Sequence, residues 1–574
     1  MREDRRLPLP ISADRGRWAT VRPARTVLGV VHNITSATRL LDLLSAFEGD
    51  ERVQVVFSCT GSSALDSGVT EFFAERGMVH VPWPEARDSR EFDLAIATSR
   101  GGDLHRLRTP LVSTPHGAGY NKKLARNRKP ETGNRKPETG NRKPETGAFG
   151  LTEEWLVHDG KVIPSAVVLS HSEQLDRLAE SCPQALPAAV VAGDPVIDQL
   201  RTALPFRERY RRAFGLEPGQ RLVVVSSTWG PGSILGSPSR DVILRALAEL
   251  PADEFRVLVT AHPGAYYAHS PWQWHHWLAP MLDSGLLLPA PETETWKAAL
   301  CAADFLIGDH GSVTLYGHTL GIPCVLGAFD RATAAPDSPM HHLGEQLPRL
   351  RRGTPLARQL AEAEAQAQDL TYDAITSRPG EAAGLLRELF YFWLDLPEPE
   401  QPAVTRAIPV PPGPPARRAL PHLPARYVTA DVRVSEGGAE LTLRRYPAAH
   451  QRTQGAHLAS AHLAADVDDP DQRLPRTADV LLVPLDRHPD ARTYAARFPH
   501  HDLLAYEEPG HGCLAVPLNS SSLHARWVRH PPWADFGVAA SVVHTLLPHT
   551  GEARLVRVRA GEHQDVGVLE LRPA

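Results

Sequence analysis

At 574 residues the chain is long enough for more than one domain, roughly three at ~150 residues each. With 42% hydrophobic and 22% charged residues it can bury large cores, which excludes wholesale disorder, and a formal net charge of -5 excludes nucleic-acid binding driven by a basic face. Cys59, Cys182, Cys301, Cys324 and Cys513 form no CxxC pair, the charged start lacks an apolar signal core, and no apolar run reaches ~18 residues. The expectation is therefore a cytoplasmic protein from a reducing compartment.

Residues 1–25 read as an irregular lead-in. Strands expected at 26–31 and 53–57 alternate with helices at 38–47 and 68–76, the pattern of a parallel, doubly wound sheet. Short strands follow at 79–81, 94–96 and 111–113. The last runs into Thr114-Pro115-His116-Gly117-Ala118-Gly119, which puts His116 at a strand carboxyl end, where open α/β sheets build their sites. A histidine there suits general-base work because it titrates near neutrality, although hydrogen bonding to a turn would also account for it.

The heptapeptide Asn-Arg-Lys-Pro-Glu-Thr-Gly then occurs three times over 127–147. It has no apolar position to bury, and its Pro in every unit excludes a coiled coil, so it reads as a solvated insert. Strands at 165–169 and 189–191 bracket a helix at 173–180. Near 193–205 the βα pattern restarts, so residues 26–200 and 201–396 are expected to be two Rossmann-like domains facing a cleft.

The second domain has strands at 222–225 and 256–260, each ending in a motif. The first opens into Ser226-Ser227-Thr228-Trp229-Gly230-Pro231-Gly232-Ser233, a glycine-rich turn, and the second into Ala261-His262-Pro263-Gly264. The aromatic and His-rich stretch 266–277 shows no recognised metal-ligand spacing and reads as a packed surface lobe. The strand 305–307 ends in Gly308-Asp309-His310-Gly311-Ser312 and leads into a helix at 313–320. A helix opening at a small-residue turn leaves unpaired N–H groups that favour an anion, and an ordinary capped βα turn would look the same. An amphipathic helix over 380–394 closes this domain. Residues 397–424 are a Pro-rich, semi-rigid linker, and residues 425–574 form a separate α+β module of unassigned role, with strand pairs 428–434/440–443 and 553–558/566–571.

In this order the motifs resemble the GT-B superfamily, and within it the CDP-glycerol glycerophosphotransferases; the UDP-N-acetylglucosamine 2-epimerases are a more distant resemblance. His116-Gly117 is similar to a Trp-His-Gly-Thr-Pro element, Gly193-Asp194-Pro195 with Asp198 to the Gly-x-Pro-x-x-Asp junction, and Ser227-Thr228-Trp229 to a Pro-Thr-Trp turn. His262-Pro263 is similar to Arg-x-His-Pro, and Asp309-His310-Gly311-Ser312 with Pro323 to Thr-Asp-Tyr-Ser-Ser and its following Pro. The chain departs from the pattern at Tyr316, where the family has Asp, and at Pro115, where it has Trp.

The resemblance implies a metal-independent transferase of cell-envelope polymer biosynthesis. It would need no cofactor and would move a glycosyl or polyol-phosphate group from a nucleotide-diphosphate donor to a hydroxyl acceptor. His116 would be the base, and His262 would donate to the diphosphate and help stabilise the leaving group. Thr228, Gly230, Gly232, Ser233, Asp309, His310, Gly311 and Ser312 would hold the donor's phosphates. A lipid-linked acceptor would bring peripheral membrane association, and the C-terminal module is a candidate for a protein partner. The competing readings are an epimerase-like enzyme and a non-catalytic GT-B-like binding or scaffold protein.

Overall fold

The computed structural model describes residues 20–63, 68–123, 148–367, 373, 375–412, 423–435, 438–450, 456–487, 491–549 and 554–574. The heptapeptide insert, nearly all of the lead-in and the second half of the linker lie outside them.

The first sheet contains β1 (Arg25–Val31), β2 (Val53–Cys59), β3 (Leu94–Ala97), β4 (Leu111–Ser113), β7 (Ala166–Leu169) and β8 (Ala189–Val191). It runs β2-β1-β3-β4-β7-β8, parallel throughout, and a small hairpin of β5 (Val157–His158) and β6 (Lys161–Val162) stands apart. Strands with helices on both faces are buried on both sides, and β3 accordingly reads Leu-Ala-Ile-Ala with every residue buried. The strand expected at 79–81 reduces to a single bridge between His80 and Phe57.

The second sheet, also parallel, runs β10-β9-β11-β12 from β9 (Arg221–Ser227), β10 (Phe255–Ala261), β11 (Phe305–Gly308) and β12 (Cys324–Leu326). Two helices exchange partners at the domain junction. Pro195–Ala203 puts Val196, Ile197, Leu200 and Ala203 into the second domain's core. In return Ala382–Leu394 packs Leu386, Phe390, Tyr391 and Leu394 into the first domain's core. The sequence reading placed this last helix at the end of the second domain; the structure returns it to the first, because its apolar face matches the side of that sheet beside Phe47 and Val27. Asp198 ties the crossing, accepting from Gly380 N (2.7 Å) and Ala382 N (3.2 Å).

Beyond the linker the chain forms a closed nine-stranded barrel, β13-β14-β20-β21-β19-β18-β17-β16-β15. In chain order these are Arg426–Ser435, Gly438–Pro447, His462–Asp466, Val480–Val483, Leu503–Glu508, Gly512–Pro517, Leu523–Arg529, Arg554–Ala560 and Gly567–Pro573. The helix Phe536–Leu546 packs into it with nine of its eleven residues buried. An apolar helix buried almost all round needs small neighbours, and Ala464, Ala505, Ala515 and Ala525 of the strands supply them. Only the two outer strand pairs were expected from sequence; β16, for example, is the four-residue apolar run Val-Leu-Leu-Val, which shows no period. The barrel docks on the second domain through Arg445, which pairs with Asp253 (2.7 Å) and with Asp535 (2.9 Å). Among the described residues no helix is long and apolar enough to cross a membrane.

Candidate active site

The carboxyl ends of β3, β4, β9, β10 and β11 open onto one cleft between the first two domains, with about 1560 Å³ of empty space. In parallel sheets this edge is where loops are free of the ladder and where helix N-termini point, so ligands gather there. His116, Lys122 and Arg100 come to the cleft from the first domain. Thr228, His262, His310, Gly311 and Ser312 come from the second.

Both histidines are neutral, with opposite tautomers. His116 Nδ1 donates to the Thr98 carbonyl (3.2 Å), because a carbonyl can only accept, and this leaves Nε2 as a lone-pair acceptor. His262 begins the helix Pro263–His269, and its Nδ1 accepts from Gly264 N (3.0 Å). The proton is therefore on Nε2, within 3.3 Å of Thr35 Oγ1. Burial, then the positive charge of Lys122, lowers His116 to about 4 and His262 to about 3. His310, lowered to about 4 in the same way, leaves its Nδ1 without a hydrogen bond.

Ser312–Thr319 is the helix expected at this turn. No side chain caps it, and Gly311, Ser312 and Val313 line the cleft. Its N-terminus therefore presents open N–H groups and the positive end of its dipole. Asp309 does different work from that expected. Fully buried, it accepts from Thr228 N (2.8 Å), Gly311 N (2.9 Å) and Ile234 N (3.2 Å). It thus stitches the loop after β9 to the turn after β11, and burial raises its carboxyl to about 6.

Gly230, Gly232 and Ser233 also lie behind the cleft wall. Ser233 Oγ is used by Gly230 O (2.8 Å) and Gly236 N (3.0 Å), and a Cβ on Gly232 would strike Asp330. None of these four expected phosphate ligands lines the cleft, and Asp309 instead holds the backbone of the neighbouring loops.

Several residues of the cleft escaped the sequence reading. Lys122 Nζ is 3.2 Å from Thr228 Oγ1 and 5.3 Å from the Trp229 ring centroid. Arg100 donates to Tyr120 OH (2.8 Å) and Gly150 O (3.3 Å). Glu294 and Trp296 form a further wall with Pro289 and Pro291. Burial raises the Glu294 carboxyl, opposed by Lys297 at 3.0 Å.

At the base, Asp194 caps the helix Pro195–Ala203, pairs with Arg39 (2.9 Å) and accepts from Tyr316 OH (2.9 Å). Arg39 and Asp194 are both almost fully buried, and this pair fixes the first domain against the helix that carries Tyr316. The Tyr-for-Asp departure is thereby explained: the phenol donates to an anion, beside which a second carboxylate would be repelled. Lys297 reaches across the same junction to Asp42 (2.8 Å).

Two parallel Rossmann-like sheets thus face one cleft with their strand carboxyl ends, exchanging a helix at the junction. The chain has the GT-B fold. No family model and no curated protein sequence matches it. Among solved structures, this GT-B chain is similar to the wall teichoic acid polymerase TagF, at 14% identity and TM-score 0.44, over 65% of this chain and 90% of that one. It is also similar to UDP-GlcNAc 2-epimerase from Methanocaldococcus jannaschii, at 10% identity and TM-score 0.38, over 64% of this chain and 99% of that one.

Proposed function

We propose that the chain is a GT-B-type transferase that moves a glycosyl or polyol-phosphate group from a nucleotide-diphosphate donor to a hydroxyl acceptor. The observation that carries this is the pair of neutral histidines, one from each domain, with opposite tautomers over an uncapped helix N-terminus. His116 Nε2 accepts the proton of the acceptor hydroxyl, while His262 Nε2–H donates to the diphosphate oxygen on which charge builds as the group leaves. The open N–H groups of Ser312 and Val313 and the Thr228 hydroxyl hold the phosphates. The nucleoside lies along Trp296, Pro289 and Pro291, with Glu294 as the acid that accepts from a sugar hydroxyl. Glu294 takes the part for which Tyr316 is unsuited.

The test is transfer from a panel of nucleotide-diphosphate-linked donors to polyol and sugar acceptors, with thermal shift reporting donor binding. His116→Ala is expected to keep the donor shift and to lose roughly 10²- to 10⁴-fold in transfer. Product formed without an acceptor would favour the epimerase-like reading instead. Absence of a shift with every donor and free nucleotide at millimolar concentration would sink the transferase.

A further inference from the structure

Lys122 belongs to the first domain but is held by the second. Its backbone bridges to Ala334, Lys123 N donates to Thr333 O (2.9 Å), and Ala335 N donates to Asn121 O (2.8 Å). On the other side Phe149 N donates to the Lys122 carbonyl (2.7 Å), so the two ends of the described chain at 123 and 148 lie together beside the cleft. The ammonium itself crosses to Thr228 Oγ1, and among the described residues it pairs with no carboxylate. It faces His116, His262 and His310, all neutral, and the more distant Asp309, whose lone pairs are engaged by backbone N–H groups. A desolvated ammonium that has only the indirect attraction of Asp309, with no carboxylate in contact, is costly, and the open helix N-terminus beside Thr228 adds a second positive potential to the same space. The site is short of negative charge.

We propose that Lys122 is the cross-domain ligand of the donor's diphosphate. Lys122 and His116 share the loop 114–123, whose far end is clasped to residues 333–335. An anion that joins Lys122 to the Thr228 loop and the Ser312 helix start fastens that loop to the second domain. This rests on the nucleotide-diphosphate reading above and adds to it the cation that meets the diphosphate.

The experiment is titration calorimetry of the full chain with CDP, UDP, GDP and ADP and with the matching nucleosides. The wild type is expected to bind one diphosphate more tightly than its nucleoside. Lys122→Met should weaken that diphosphate roughly 10- to 100-fold, as loss of a charged hydrogen bond does, and leave the nucleoside unchanged, while Lys122→Arg restores most of the affinity. Ligand-free Lys122→Met should melt at or above the wild-type temperature, because a buried charge with no carboxylate in contact has gone. Diphosphate binding by Lys122→Met within about twofold of wild type, or a ligand-free Lys122→Met that melts well below wild type, overturns the proposal for Lys122 alone. A wild type that does not distinguish diphosphates from nucleosides overturns it together with the donor reading.

Discussion

His116 and His262 lie in the same cleft, are neutral for the same reason, and present opposite faces. The difference comes from one neighbour each: a carbonyl that can only accept, from Thr98, and a backbone N–H that can only donate, from Gly264. A variant that keeps the ring's place but not its proton logic should separate the roles. His262→Gln is expected to lower kcat by roughly 10- to 1000-fold with donor binding little changed, measured as kcat against donor KM. Asp309→Asn tests the loop stitch. Its amide turns one N–H₂ towards backbone donors, so a loss of about 1–3 kcal/mol is expected in urea unfolding. Sequence pattern alone could not separate Asp309 from its neighbours. Asp309-His310-Gly311-Ser312 reads as one phosphate motif, but the turn after β11 points His310 to Ser312 into the cleft and Asp309 away from it.

At the scale of elements, the junction is held by an ion pair and a phenol from three of them: Arg39 on the helix Ile34–Leu44, Asp194 at the start of Pro195–Ala203, and Tyr316 on Ser312–Thr319. Removing the shared anion leaves a buried guanidinium unpaired. Asp194→Ala should therefore cost about 3–5 kcal/mol, and Tyr316→Phe about 1 kcal/mol, both read by chemical denaturation. Tyr316→Asp is expected to be worse than Tyr316→Phe because it sets a second carboxylate against Asp194. The same reasoning shows why Asp194 was legible as part of a motif but not as half of an ion pair. Its partner Arg39 lies 155 residues away and looks like any exposed helix residue until the fold buries it.

For the whole molecule, acid should act through the buried histidines. Their folded pKa values, about 4 for His32, His116 and His310 and about 3 for His262, lie below the ordinary 6.5. The unfolded chain therefore takes up protons first. Stability is complete above about pH 6.5 and falls as pH drops towards 4, each histidine contributing up to about 1.4 kcal/mol per pH unit. Asp309, raised from 3.8 to about 6, has the opposite sign, stabilising below about pH 3.8 and losing that contribution as pH rises through 6. With His462, also lowered to about 3, the depressed histidines outnumber the raised carboxyls of Asp309, Asp198 and Glu294, so the melting temperature should decrease from pH 6.5 to pH 4. A flat profile would show that these histidines are hydrated and not desolvated. Docking of the barrel is a separate quantity: Asp253→Ala, which leaves Arg445 with Asp535 alone, should split calorimetric unfolding into two transitions.

The sequence by itself determined the alternation of strands and helices and hence two parallel sheets, because strand and helix periods are local. It also placed His116, His262 and the Gly311–Ser312 turn at strand carboxyl ends, since those positions follow from where each apolar run stops. Only the tertiary structure decided which side chains reach the cleft, the tautomer of each histidine, the return of Ala382–Leu394 to the first domain and the closure of the barrel. Each of these depends on partners distant in the chain, Leu394 with Val27 and β13 with β15 among them, and a local pattern carries no record of which distant surface will cover it.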